Sequence, residues 1–174
     1  MIRYRYKNAK LLFVGINPHY GSFRRGVPFS NNKMFWYLLS RAGIIKEAEA
    51  ELKDDGNLKM MYLRKFNQVY QLGFVNVIDR PTRDISELKK GEEHKGRKKV
   101  NKIIKLYHPR TTCFIGKIAY QKFTGMKEVS FGWHKNIGKT KIYVMHFPLR
   151  GRALIRVKEL RKVFLAAFGA GRAQ

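Results

Sequence analysis

Two polar side chains stand where apolar segments of this chain run out, and a third stands within one. Asn17 follows Leu11-Leu12-Phe13-Val14-Gly15-Ile16 and precedes Pro18, Asn76 interrupts Phe74-Val75-Asn76-Val77-Ile78, and His146 follows Ile142-Tyr143-Val144-Met145. An amide offers both a donor and an acceptor, and an imidazole can act as either. In open α/β sheets ligands bind beyond the carboxyl ends of the strands, so Asn17 stands where chemistry is usually done. The competing reading of Asn17 is an ordinary Asn-Pro turn. A polar amide within an apolar strand is costly unless it is bonded. That leaves Asn76 as either a ligand-reading group or a structurally satisfied one.

Other chemistries are harder to support. Cys113 is the one cysteine, set in Thr-Thr-Cys-Phe-Ile-Gly. It can form no intrachain disulfide, and alone it supports no cysteine-ligated zinc or iron–sulfur site; a buried structural thiol is expected. No Gly-x-Gly-x-x-Gly follows the first strand and there is no Walker A motif, which disfavours dinucleotide and nucleoside-triphosphate enzymes. No metal and no cofactor are implied.

Strands alternating with helices must position these residues. Strands are expected near 11–15, 74–78 and 111–115, with a hairpin of 135–138 and 141–145 around Gly138-Lys139. Helical spacing appears in Met34, Phe35, Leu38 and Leu39 up to Gly43, with Asn31 or Asn32 as cap. It recurs in Met60, Leu63, Phe66, Asn67 and Tyr70, closing at Gly73. It returns in Val100, Ile103, Ile104 and Tyr107, in Lys117–Phe123, and in Val157, Leu160, Phe164 and Phe168. Residues 45–59 read as a helix plus a connection ending at Gly56. Residues 19–32 read as a long loop, a form that is usually functional or mobile, and 89–99 as a solvated connection. The alternation predicts a three-layer α/β/α sandwich around a mainly parallel, four-stranded sheet. The whole chain, 1–174, is expected to be one domain with a core of about 10–168 and a fraying Ala/Gly tail.

Charge points to the partner. Thirty-seven Lys and Arg face 12 Asp and Glu, a net charge of +25. Such a field is self-repelling and implies a polyanion, for which nucleic acid is the default. An anionic membrane would call for a long basic amphipathic stretch, and none stands out. Thermophilic enrichment in Lys and Arg normally brings Glu with it. No signal peptide precedes the first strand and no apolar run is long enough to span a bilayer, so an intracellular location (cytoplasm or nucleoid) is expected.

The motifs resemble a known family. Gly15-Ile16-Asn17-Pro18 with Val27-Pro28-Phe29 is similar to the first motif of the mismatch-specific uracil- and thymine-DNA glycosylases. The resemblance continues at Asn76-Val77-Ile78-Asp79-Arg80-Pro81-Thr82, at Gly96-Arg97-Lys98, and at Ile115-Gly116-Lys117 with Ala119-Tyr120. The blocks keep the family's order and spacing from about residue 10 to 168. A lone Gly-Ile-Asn-Pro would be a weak signal; the ordered set is a strong one. The resemblance implies the four-stranded parallel sheet of the uracil-DNA glycosylase superfamily. It also implies hydrolysis of the N-glycosidic bond of a damaged or mismatched base flipped out of the stack. The partner implied is DNA, double-stranded with a lesion or mismatch or single-stranded, met by a monomer.

By the same resemblance, Asn17 orients the attacking water, and Gly15, Ile16, Phe29 and Asn76 line the base site. Phe29 matches the aromatic that stacks on the base, with core packing beneath the loop as its alternative. Asn76 matches a position that reads the pyrimidine edge. His19 departs from the family, which commonly carries Gly there. Its ring is expected to narrow the pocket toward uracil over thymine, against the alternative of a surface histidine with no role. The second motif also departs. His146-Phe147-Pro148-Leu149-Arg150-Gly151-Arg152 is bulkier and more basic than the family's small residues. His146 could hydrogen-bond the leaving base, and Leu149 or Arg150 could fill the gap left by it. Arg24, Arg25, Arg80, Lys117, Arg150 and Arg152 are candidate phosphate contacts, each otherwise a solvated surface charge.

The leading expectation is a monofunctional DNA glycosylase for uracil and related pyrimidine lesions. The alternatives are a non-catalytic nucleic-acid-binding protein on the same fold, or a glycosylase for another base such as hypoxanthine or ethenocytosine.

Overall fold

All five residues of β1 (Leu11–Gly15) are buried, because helices cover both faces of the sheet of which it is part. Strand side chains alternate. Leu11 and Phe13 therefore enter one apolar cluster, and Leu12 and Val14 the other. The computed structural model describes residues 1–170. In it β1 pairs in parallel with β2 (Leu72–Asn76) on one side and with β3 (Thr111–Ile115) on the other. β5 (Thr140–Met145) runs parallel to β3, and β4 (Gly132–Ile137) closes the edge antiparallel to β5.

The sheet thus has five strands in the order β2-β1-β3-β5-β4. Four are parallel as expected. The expectation of four in all fails because the first arm of the anticipated hairpin begins earlier, at Gly132, and is long enough to pair along β5.

One layer holds α2 (Met34–Arg41) and α7 (Ala153–Phe168), which pack on each other and on Phe13, Phe74 and Met145. The other holds α5 (Glu93–Tyr107) and α6 (Lys117–Thr124), packed on Leu12, Val14 and Phe114. Residues 89–99 are accordingly not a solvated connection. Most of that stretch is the start of α5, and Gly96 in its second turn explains why. A β-carbon there would drive into the carbonyl of Val77, so only glycine lets the helix lie so close to the end of β2.

Four other boundaries moved. The stretch 19–32 is not all loop but contains α1 (Tyr20–Arg25), capped by His19, whose Nδ1 accepts from Gly21 N at 3.0 Å. The stretch 45–59 divides into α3 (Glu49–Leu52) and α4 (Asp55–Met61); Gly56 lies inside α4, where Asp54 caps the first turn by accepting from Asn57 N. A π-helical turn, Tyr62–Phe66, continues α4, and the helical stretch closes before Gln71 rather than at Gly73, which belongs to β2. For α2 the cap position is Lys33, while Asn32 Oδ1 accepts from Met34 N at 3.1 Å. The fraying expected at the C-terminus concerns 171–174, outside the described residues. Among the described residues no helix is long and apolar enough to cross a membrane.

Candidate active site

β2 ends at Asn76, not beyond it, so the amide expected in mid-strand stands at the carboxyl edge of the sheet. It is paired with Gly15, the last residue of β1, and is 2% exposed. The absence of a side chain at Gly15 makes this possible, because a β-carbon there would collide with Asn76 Oδ1. Nδ2 of Asn76 donates to the hydroxyl of Tyr4 at 3.0 Å. Burial, with the carboxylate of Asp79 close by, pushes the Tyr4 phenol far above its usual range, so it remains a neutral hydroxyl. Asp79 is in turn paired with Lys99 at 2.6 Å. The Tyr4 hydroxyl thus holds one buried amide, with the Lys99–Asp79 ion pair close beside it. The requirement that a mid-sheet polar group be satisfied is met on the nitrogen.

Asn17 lies just beyond β1, across from this amide. Its Nδ2 donates to Thr82 Oγ1 at 2.7 Å and to the carbonyl of Arg80 at 3.3 Å, with a longer contact to the Pro18 carbonyl at 3.4 Å. Carbonyl oxygens only accept, so these partners identify the nitrogen and leave Oδ1 as the outward atom. Oδ1 makes no intramolecular hydrogen bond among the described residues, and Asn17 is only half-buried. The Asn-Pro turn is therefore real, and it presents an acceptor. Backbone bonds from Val77 N to Gly15 O, from Ile78 N to Ile16 O and from Thr82 N to Pro18 O lock the two strand ends side by side.

Asn17 and Asn76 line the same cleft of about 890 Å³, together with Gly15, Ile16, His19, Phe29, Lys117, His146, Leu149 and Arg150. That volume is of the size that takes a small ligand. Phe29 forms part of its wall in a strained conformation. Its φ of 53° is left-handed, which costs an L-residue about 1–2 kcal/mol. The buried Trp36 indole donates to the Pro28 carbonyl at 2.7 Å and pins the segment. The Phe29 ring stacks on Phe35 at 4.9 Å and meets Phe74 edge-on at 5.6 Å. It packs against the core and also borders the cleft, so the two readings of Phe29 are compatible. His19, exposed, borders the cleft too, and its Nδ1 accepts from Gly21 N in capping α1.

His146, which also lines the cleft, is held by a carboxylate and by a stacked ring. Its Nδ1 lies 3.0 Å from Glu159 Oε1, and its backbone N–H donates to Glu159 Oε2 at 3.0 Å. Its ring stacks on Phe131, with centroids 3.6 Å apart and planes inclined at 23°. The loop beyond it turns tightly, Arg150 N donating to Phe147 O at 3.0 Å. Pro148 is buried in this turn, while Leu149 stands at its tip, 51% exposed. Phe147 packs instead toward the core, 6.2 Å from Phe29.

The cationic candidates separate. Lys117 and Arg150 border the cleft, and Lys117 Nζ sits 4.6 Å from the centre of the Phe131 ring. Arg24 and Arg152 are exposed but outside the lining. Arg25 is paired with Asp55 at 2.9 Å, away from the cleft, and Arg80 is paired with Glu92 at 2.7 Å. Four side chains that matter here were assigned no role from the sequence: Tyr4, Thr82, Phe131 and Glu159. Glu159 had a usable signal, an acid at helical spacing beside Val163 and Arg156 on an inward face. Arg83, exposed and lining the cleft beside Thr82, also went unassigned.

Cys113 is fully buried in β3, and burial pushes its thiol well above the usual range. Among the described residues no group of three or more His, Cys, Asp and Glu is gathered that could hold a metal ion. What converges is an oriented amide acceptor, a second buried amide, an aromatic wall and a carboxylate-held imidazole. Compared with known families, residues 2–165 match the uracil DNA glycosylase superfamily.

Proposed function

The chain belongs to the uracil-DNA glycosylase superfamily, whose members are DNA glycosylases that hydrolyse N-glycosidic bonds, and on that premise we propose that it excises uracil from DNA. The reading includes related damaged or mismatched pyrimidines and takes the mismatch-specific enzymes as nearest in kind. It treats the whole chain as one domain working as an intracellular monomer. The product is an abasic site. The observation that carries the proposal is the Asn17 amide, anchored through its nitrogen to Thr82 with its oxygen left toward the cleft.

An amide oxygen so placed can hold a water beside the sugar C1′. It is a poor base, but the bond to the base breaks largely before water attacks. Positioning and stabilisation of the departing charge then supply most of the rate. Asn76, with an amide at the strand end, suits uracil O4 and N3–H. Phe29 offers a face on which the flipped base can stack, and His146 a hydrogen bond to it. Leu149, apolar and exposed at the tip of a tight turn, is the better of the two wedge candidates. No lysine is assigned to the chemistry, so the enzyme is monofunctional and leaves the strand uncut.

The test is incubation with uracil-containing duplex and single strand, followed by alkali. Scission at uracil only after alkali supports the proposal, as does its loss in Asn17→Ala. Scission without alkali would contradict the monofunctional assignment. Tight, salt-sensitive DNA binding with no scission would favour a non-catalytic binder, and scission only at hypoxanthine or ethenocytosine a different substrate.

A further inference from the structure

Glu159 Oε2 accepts from the His146 backbone N–H at 3.0 Å, and Oε1 accepts from the Tyr143 hydroxyl at 3.4 Å and lies 3.0 Å from His146 Nδ1. The residue is 7% exposed. An ionised carboxylate has no proton to give, so the imidazole must carry its proton on Nδ1. Stacking on Phe131 holds the plane of the ring in which Nδ1 meets Glu159.

This arrangement has a chemical consequence. With Nδ1 committed as donor, Nε2 of a neutral His146 is a lone pair, and a lone pair cannot donate to a departing base. Only the imidazolium can keep its bond to Glu159 and also donate from Nε2. We propose that Glu159 is a positioning residue that makes His146 act on the leaving base as an imidazolium, by selecting the Nδ1–H form of the ring. The inference rests on the glycosylase reading above.

The step balances without a further reactant. The bond from C1′ to the base breaks with its electron pair going to the base, and the charge collects on the adjacent carbonyl oxygen. Nε2–H of His146 donates a charge-assisted hydrogen bond to that oxygen. Water bonds through its oxygen to C1′ and releases a proton to solvent, from which the base anion later takes one up. The other groups around the ring do not supply a rival carboxylate. Lys117 sits over Phe131, Arg150 and Arg152 are on the same loop, and Arg156 on α7 donates to the Gly151 carbonyl. Tyr143 on β5 is a neutral phenol, pushed up to about 12 by burial and by Glu159.

The experiment has two arms. Single-turnover excision of uracil by the wild type should fall about tenfold per pH unit once the imidazolium is lost. Glu159→Gln no longer demands a proton on Nδ1, so the neutral Nε2–H ring becomes available. Its excision should be about tenfold slower on the acid side and should lose the alkaline decline. A Glu159→Gln protein with the wild-type profile would overturn the proposal. The second arm reads the intact wild type by nitrogen-15 NMR of the His146 ring at alkaline pH. The Nδ1–H tautomer is expected there, and a dominant Nε2–H tautomer would overturn the proposal. That arm needs no activity, so a wild type that excises nothing contradicts the proposed function while the tautomer is still read.

Discussion

The hydroxyl of Thr82 lies 2.7 Å from the amide nitrogen of Asn17, although the two residues belong to loops after different strands. Together with the Arg80 and Pro18 carbonyls, that contact holds Nδ2 and leaves Oδ1 to the cleft. Thr82→Val keeps the shape and removes the shortest of the three bonds, loosening the amide. Excision should drop about 10- to 100-fold, the range expected of a slightly misplaced catalytic group. Binding to a DNA carrying a non-cleavable uracil analogue should hardly change. A variant as fast as the wild type would show that the anchor is dispensable.

Gly15 and Asn76 face each other across β1 and β2. Gly15→Ala puts a methyl against Asn76 Oδ1 and against the Phe74 ring, and one of them must shift. Overpacking of this kind costs about 1–3 kcal/mol, so thermal denaturation should report a lowered midpoint. Excision should fall further than this loss explains, because Asn76 is displaced. Unchanged activity in the folded variant would count against a role for Asn76.

His19 has two separable properties, its cap on α1 and its ring at the cleft. Asn is also a good N-cap whereas Gly provides no side-chain acceptor. His19→Asn should keep stability near that of the wild type while raising excision of thymine relative to uracil several-fold. His19→Gly should change selectivity in the same direction and lose a few tenths of a kcal/mol. Equal thymine-to-uracil rate ratios in all three proteins would leave His19 as a cap alone.

The cations should differ in their share of DNA binding. Each phosphate contact contributes about −0.9 to the slope of log affinity against log salt. Arg150→Ala and Arg83→Ala, at the rim of the cleft, should each flatten that slope by about this amount. Arg80→Ala should not, because its guanidinium already holds Glu92 through two hydrogen bonds. Fluorescence anisotropy over a salt series measures all three, and a flattened slope for Arg80→Ala would show that the ion pair opens on DNA.

The strand positions, the alternation with helices and the long basic excess were legible because they follow from local periodicity and composition. Helix starts were less so. The beginning of α5 is charged enough to pass for a loop, and Gly96 is what lets it pack against the end of β2. The edge strand β4 alternates weakly, half of it being exposed, and it is stabilised by pairing with β5 rather than by its own pattern. The segment 19–32 reads as irregular because α1 is short and its cap is a histidine, an uncommon choice.

The sequence by itself determined that Asn17 and His146 would stand just beyond the carboxyl ends of strands, while Asn76 read as lying within one. Apolar runs must be buried, and the strands end where those runs stop. It also identified Asn17, Asn76 and His146 as the residues to watch. Only the tertiary structure decided what each can do. The partners that orient them lie far along the chain: Thr82 for Asn17, Tyr4 for Asn76 and Glu159 for His146. Orientation of an amide or an imidazole depends on which donor or acceptor meets each of its atoms. That is a property of strand order and helix packing, and no local pattern in the sequence records it.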